Sequence, residues 1–163
     1  MKYEVHDHEF GPLYRSDSEI LILGSFPSIA SRAQKFFYGH PQNRFWKMLA
    51  ACFDEPTPAT IEEKTSLCYR HKIALYDSLE SCEIVGSSDA SIKNPIPADL
   101  ESIVAKTNVR KIICNGKTSY RYFCKYQSEK MVDMCVVLPS TSPANAAVSL
   151  EKLIEAWRAE LSI

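Results

Sequence analysis

The sequence predicts an α/β fold, a single-domain three-layer α/β/α sandwich around a central, mainly parallel four-stranded sheet. Three observations lead there. Four short apolar, β-rich runs read as buried strands. Segments with helical spacing lie between and after them. A length of 163 residues at 45% hydrophobic content suits one good core and falls short of two, so a single domain over 1–163 is expected.

The runs are Ile20–Gly24 (ILILG), Ile73–Tyr76 (IALY), Val109–Cys114 (VRKIIC) and Cys135–Leu138 (CVVL). From Asn43 to Phe53, the residues Phe45, Trp46, Leu49, Cys52 and Phe53 share one helical face. Lys117 to Tyr126 repeats Tyr120, Phe123 and Cys124; Ser149 to Leu161 repeats Leu150, Leu153, Ile154, Trp157 and Leu161. Thr60 with Glu63 three residues on signals a capping box for another helix. In an open parallel sheet the site lies beyond the carboxyl ends of the strands, which directs attention to loops 24–43, 77–97, 115–118 and 139–147. The second of these is Ser/Asp/Pro-rich and reads as a connection.

Charged residues make up 24% and the net charge is -1, which excludes a strongly basic nucleic-acid clamp, an acidic tail and a disordered chain. Any DNA contact is therefore local and modest in phosphate count. Six cysteines without a C-x-x-C pair suggest a reduced, cytoplasmic protein. Neither a signal-peptide core nor an apolar run of about 18 residues is present, so secretion and membrane insertion are not expected. His6 and His8 with Asp7 and Glu9 suggest at most weak metal binding, and a frayed N-terminus explains them better; neither metal nor cofactor is expected.

Three segments carry chemistry. Gly24-Ser25-Phe26-Pro27-Ser28 ends the first strand, where glycine permits close approach and proline stiffens the turn. Tyr38-Gly39-His40-Pro41 then runs into Asn43-Arg44-Phe45-Trp46, an aromatic and a turn ahead of an amide at a helix start. A nucleobase pocket needs a flat apolar surface plus an amide able to donate and accept at the base edge, and Tyr38 and Asn43 are of those types. The competing reading makes Tyr38 core and Asn43 an ordinary helix cap. Leu138-Pro139-Ser140-Thr141-Ser142-Pro143-Ala144-Asn145-Ala146 is a stiff hydroxyl-rich loop suited to phosphate. Gly116-Lys117-Thr118 lacks the glycine a Walker motif needs, since Lys111 stands there.

Together, G-S-F-P-S, Y-G-H-P-Q-N-R-F-W-K and P-S-T-S-P-A-N-A resemble the signature regions of the uracil-DNA glycosylase superfamily. The middle stretch, I-A-L-Y-D-S-L-E-S-C-E with S-S-D-A-S-I-K-N-P-I-P, resembles its hypoxanthine (deoxyinosine) DNA glycosylase branch. Two departures stand out. Relatives of the mismatch-specific type carry G-I-N-P-G, whose asparagine holds the attacking water, where this chain has Phe26; in the hypoxanthine branch the important asparagine lies in the later N-x-F-W segment, here Asn43. Relatives wedge a leucine into the duplex where this chain has Ser142 and Pro143.

The resemblance implies a monomeric, monofunctional glycosylase acting on deaminated bases in DNA, hypoxanthine first among them; the alternatives are a glycosylase for uracil or another damaged base and a non-catalytic nucleic-acid-binding member of the same fold. Asn43 and Asp77 are the expected catalytic residues, although a solvated or capping aspartate is the competing reading of Asp77. Gly24, Ser25, Phe26 and Tyr38 are expected to bind the base, and Ser140, Thr141, Ser142, Asn145 and Lys117 to contact DNA.

Overall fold

A computed structural model describes residues 3–162. In chain order the strands are β1 (Glu4–Asp7), β2 (Ile20–Gly24), β3 (Ile73–Asp77), β4 (Leu79–Ile84), β5 (Lys93–Pro97), β6 (Lys111–Asn115) and β7 (Cys135–Leu138). The α-helices are α1 (Ile29–Gln34), α2 (Phe45–Cys52), α3 (Ile61–Arg70), α4 (Leu100–Ala105), α5 (Lys117–Tyr126), α6 (Glu129–Val132) and α7 (Leu150–Leu161).

The apolar runs form one four-stranded sheet, ordered β3-β2-β6-β7 and parallel throughout. β2 and β3 are buried along their whole length, because helices flank the sheet on both faces and Leu13 covers the outer edge of β3. The chain moves from β2 to β3 on one side and returns to β6 on the other. The strand order therefore reverses at β2, and a crevice opens beyond its carboxyl end. At that end Gly24 pairs in register with Asp77.

The helix signals hold. Thr60 accepts from the Glu63 N–H while the Glu63 carboxylate accepts from the Thr60 N–H, so the capping box opens α3. Helices α2 and α7 pack on each other, and Phe45 and Trp157 meet edge to face there. A buried serine pair fixes α5 to the sheet: Ser78 donates to Ser119 O at 3.0 Å, and Ser119 donates to Leu23 O at 3.0 Å.

Two expectations are corrected. Segment 77–97 is not a plain connection, since it holds β4 and β5, which join β1 in a three-stranded antiparallel sheet. The N-terminus is likewise not frayed. β1 pairs with β4 from Glu4 to Asp7, the His8 N–H donates to Glu80 O at 2.7 Å, and Leu13 bridges to Leu75 at the edge of β3. A second apolar cluster, Phe26, Leu79, Cys82, Ile84 and Tyr122, binds this small sheet to α5.

Candidate active site

A cavity of about 280 Å³ lies over the carboxyl ends of β2, β3 and β6, and all four loops singled out in the sequence contribute to its wall. Its floor is Gly24 to Phe26. Gly24 must be glycine, because a Cβ there would come within 2.5 Å of Asp77 Oδ1 and 3.4 Å of the Tyr38 hydroxyl.

Asn43 lines this cavity, half-buried just ahead of α2. Its Oδ1 accepts from the Phe45 N–H at 2.9 Å and from the Thr141 hydroxyl at 2.8 Å. A backbone N–H can only donate, so the oxygen faces Phe45 and Thr141 and the amide NH2 is turned away from them. Nδ2 has no hydrogen-bond acceptor among the described residues, which leaves it as a donor on the pocket side. The N-cap of α2 is Arg44 and not Asn43, which instead holds the Phe45 N–H from one residue further back while its NH2 makes no hydrogen bond among the described residues.

Thr141 is the pivot. It is fully buried, and its N–H donates to Asn115 Oδ1 at 3.0 Å while Asn115 Nδ2 donates to the Thr141 hydroxyl at 3.0 Å. Since Asn115 Nδ2 is a donor and Asn43 Oδ1 an acceptor, the hydroxyl sends its single proton to Asn43. Its carbonyl accepts from the Arg44 N–H. Thr141 therefore has no free polar group for a phosphate, and the expected phosphate contact is replaced by a fixed link between β6, the last loop and Asn43.

Asp77 ends β3, 4% exposed, against the expectation of a solvated or capping residue. Its Oδ2 pairs with His8 Nε2 at 2.7 Å. Oδ1 makes no hydrogen bond among the described residues and faces Gly24. Tyr38 has φ +53, which aims its ring inward; the ring stacks on Phe45 with centroids 3.9 Å apart, so one face is already covered. The Tyr38 hydroxyl is buried without a partner. Burial, with the charge of Asp77 adding, pushes the phenol well above its ordinary range and keeps it a donor. Ser25 donates to Asp89 Oδ1 at 2.7 Å, and desolvation of that carboxyl raises it above the usual carboxylate range against the effect of the Ser25 bond.

The last loop is held from within and from α2. Asn145 Nδ2 donates to Ser140 O at 2.9 Å, the Ser140 hydroxyl accepts from the Ser142 N–H, and the Ser142 hydroxyl accepts from the Ala144 N–H. The Arg44 guanidinium donates to the carbonyls of Val148 and Asn145.

A model of the uracil DNA glycosylase superfamily matches residues 12–161. The chain belongs to that superfamily. It is 30% identical over 115 residues, 69% of this chain and 73% of the relative, to the hypoxanthine DNA glycosylase of Methanosarcina barkeri. To the hypoxanthine DNA glycosylase of Methanosarcina acetivorans it is 30% identical over 152 residues, 92% of this chain and 94% of the relative. The solution NMR structure of a uracil DNA glycosylase candidate from Methanosarcina acetivorans superposes with TM-score 0.80 at 29% identity, covering 93% of this chain and 94% of that one.

Within this superfamily fold, Gly24, Ser25, Phe26, Tyr38, Asn43 and Asp77 converge on the cavity, as do Ser140, Thr141 and Ser142. Lys117 and Asn145 do not line it; Lys117 is exposed at the start of α5. Sequence reasoning missed His8, Asn115 and Asp89. Asn115 carried a readable signal, a polar residue closing an apolar strand, the same one that singled out Asp77.

Proposed function

We propose that this chain is a monofunctional DNA base-excision glycosylase that hydrolyses the N-glycosidic bond of deaminated bases, hypoxanthine first among them. The observation that carries the reading is the fixed Asn43 amide, whose NH2 is left for a ligand in the same cavity as the open oxygen of Asp77. The names of the Methanosarcina relatives support hypoxanthine as the base.

A flipped hypoxanthine presents O6 and N7 as acceptors, and Asn43 Nδ2 donates to that edge. The same donor stabilises negative charge on the base as it leaves, an interaction that strengthens towards the transition state. Asp77 Oδ1, on the floor by Gly24, accepts a proton from water and aims the water oxygen at C1′. The water oxygen bonds to C1′ as the C1′–N9 bond breaks, and that electron pair departs with the base. The water proton passes through Asp77 to the released base. No lysine is required as a nucleophile, so the product is an abasic site with an intact strand.

Phe26 shapes the floor without touching the water chemistry, because its ring is buried among Leu79, Cys82, Ile84 and Tyr122. Ser140 and Ser142 line the cavity, and with Asn145 of the same loop and exposed Lys117 at the start of α5 they are the groups that would meet the DNA backbone.

The test is excision from oligonucleotides carrying inosine, uracil or xanthine, followed by alkaline cleavage of the abasic product. Wild type should release hypoxanthine and release uracil weakly, while Asn43→Ala should be inactive yet still fold and melt cooperatively, at a somewhat lower temperature. Full activity in Asn43→Ala would take the amide out of the mechanism. Robust uracil release would reassign the substrate.

A further inference from the structure

His8 stands outside the machinery described so far and ahead of residues 12–161, the segment that matches the superfamily. Its side chain is completely enclosed, with the rings of Phe10 and Tyr76 at centroid distances of 4.5 and 4.4 Å and those of Phe26 and Phe37 at 6.1 Å. Nε2 faces Asp77 Oδ2 at 2.7 Å, and because a carboxylate only accepts, Nε2 carries the proton. The other nitrogen, Nδ1, is buried with no partner.

For packing alone, imidazole is a poor choice here. A buried polar atom left unpaired is unfavourable, and a phenyl ring would fill the same aromatic enclosure without leaving one. What imidazole supplies and phenyl does not is one N–H directed at Asp77. Asp77 has a use for it: among the described residues its carboxylate makes no other side-chain hydrogen bond. Anchoring Oδ2 fixes the rotation of the carboxylate, and Oδ1 is then the oxygen that meets Gly24 and the cavity.

We infer that His8 is a positioning residue for Asp77, delivered by the N-terminal strand to the end of β3. The inference rests on the reading of Asp77 as the group that orients water, and the experiment separates the two.

Single-turnover excision of hypoxanthine is measured for wild type, His8→Phe, His8→Gln, Asp77→Asn and the double variant His8→Phe/Asp77→Asn, with melting and DNA affinity followed in parallel. His8→Phe keeps the ring packing and the DNA affinity but slows the single-turnover step by about 10- to 100-fold, the usual size of losing a partner that orients a functional group. His8→Gln, whose amide N–H reaches Asp77, recovers most of that rate. The double variant is no slower than Asp77→Asn alone, since the pair acts as one unit. Should His8→Phe fail to fold, His8→Leu makes the same comparison without a donor. A folded donor-free variant that cleaves at the wild-type rate, while Asp77→Asn is inactive, overturns the role of His8 and leaves that of Asp77 standing. An Asp77→Asn variant with the wild-type rate removes the reading underneath.

Discussion

The Thr141 hydroxyl donates to Asn43 Oδ1 at 2.8 Å, joining residues 98 positions apart in the chain. With the Phe45 N–H, this bond holds the Asn43 oxygen in place, and its direction follows from Asn115, whose Nδ2 donates to the same hydroxyl. Thr141→Val keeps the shape and removes both bonds, leaving the Nδ2 of half-buried Asn115 without its protein partner. The expected cost is about 1–3 kcal/mol of stability. In the proposed mechanism Asn43 is aligned with the base, so loosening it should slow single-turnover excision by roughly tenfold or more. Thermal melting and single-turnover kinetics on an inosine oligonucleotide check both; a Thr141→Val enzyme of wild-type rate would mean that Asn43 is held well enough by Phe45 alone.

Gly24→Ala tests the floor. The added methyl carbon would lie 2.5 Å from Asp77 Oδ1, so the carboxylate must turn or β2 and β3 must part. Overpacking of this kind costs about 1–3 kcal/mol, and displacing the carboxylate by around an ångström should cost on the order of a hundredfold in rate. Rate should fall much further than DNA affinity. Equal losses in both would point to general disruption instead.

Arg44 ties the last loop to α2 through the carbonyls of Val148, Asn145 and Thr141, the first two by its side chain. In Arg44→Met the backbone link stays, and the two side-chain links are lost. Hydrogen exchange should then quicken across 139–149 with little change in β2 or β6, and global stability should fall by about 1–3 kcal/mol. Protection unchanged in that loop would show that the bonds internal to it suffice.

The thiols give a check that does not depend on catalysis. Burial pushes Cys52 up to about 11 and Cys82 up to about 11, and raises Cys68 further. Cys114 is raised as well, first by its bond to Cys135. At pH 8 these four are protonated and enclosed, hence unreactive. Cys124 is exposed, so a thiol reagent should label it first, with half-buried Cys135 second. Peptide mapping after brief labelling reads the order; rapid loss of Cys68 would contradict the packing of α3.

The four strands of the main sheet were legible in the sequence to within two residues because β2, β3 and the middle of β6 are buried on both faces and leave near-continuous apolar runs, while the half-buried edge strand β7 is still the apolar run CVVL. The small sheet was not. Glu4–Asp7 has one apolar residue, Lys93–Pro97 has two prolines and Leu79–Ile84 mixes charge with apolar positions, so pairing across the chain, not local preference, makes these strands. The site follows the same division. Gly24, Asp77 and Asn115 show as breaks at the ends of apolar runs, and Asn43 as an amide before a helix. His8 meets Asp77 across 69 residues through the register of β1 on β4, and nothing in its neighbourhood in the sequence announces that contact.

Ser142 and Pro143 bear on which DNA the enzyme serves best. Both line the cavity mouth, and the Ser142 hydroxyl accepts from the Ala144 N–H, so neither offers a long apolar side chain to fill the space a flipped base vacates. Extrusion costs a few kcal/mol in a sound duplex and less when the base is mispaired or single-stranded. Without a wedge to offset that cost, the excision rate should track how weakly the inosine is paired. Single-stranded inosine and inosine opposite thymine should be cut faster than inosine opposite cytosine, its best partner. Ser142→Leu should narrow the gap by speeding the paired substrate and leaving the single strand unchanged. A wild-type enzyme indifferent to pairing would mean that another element of the loop performs the insertion.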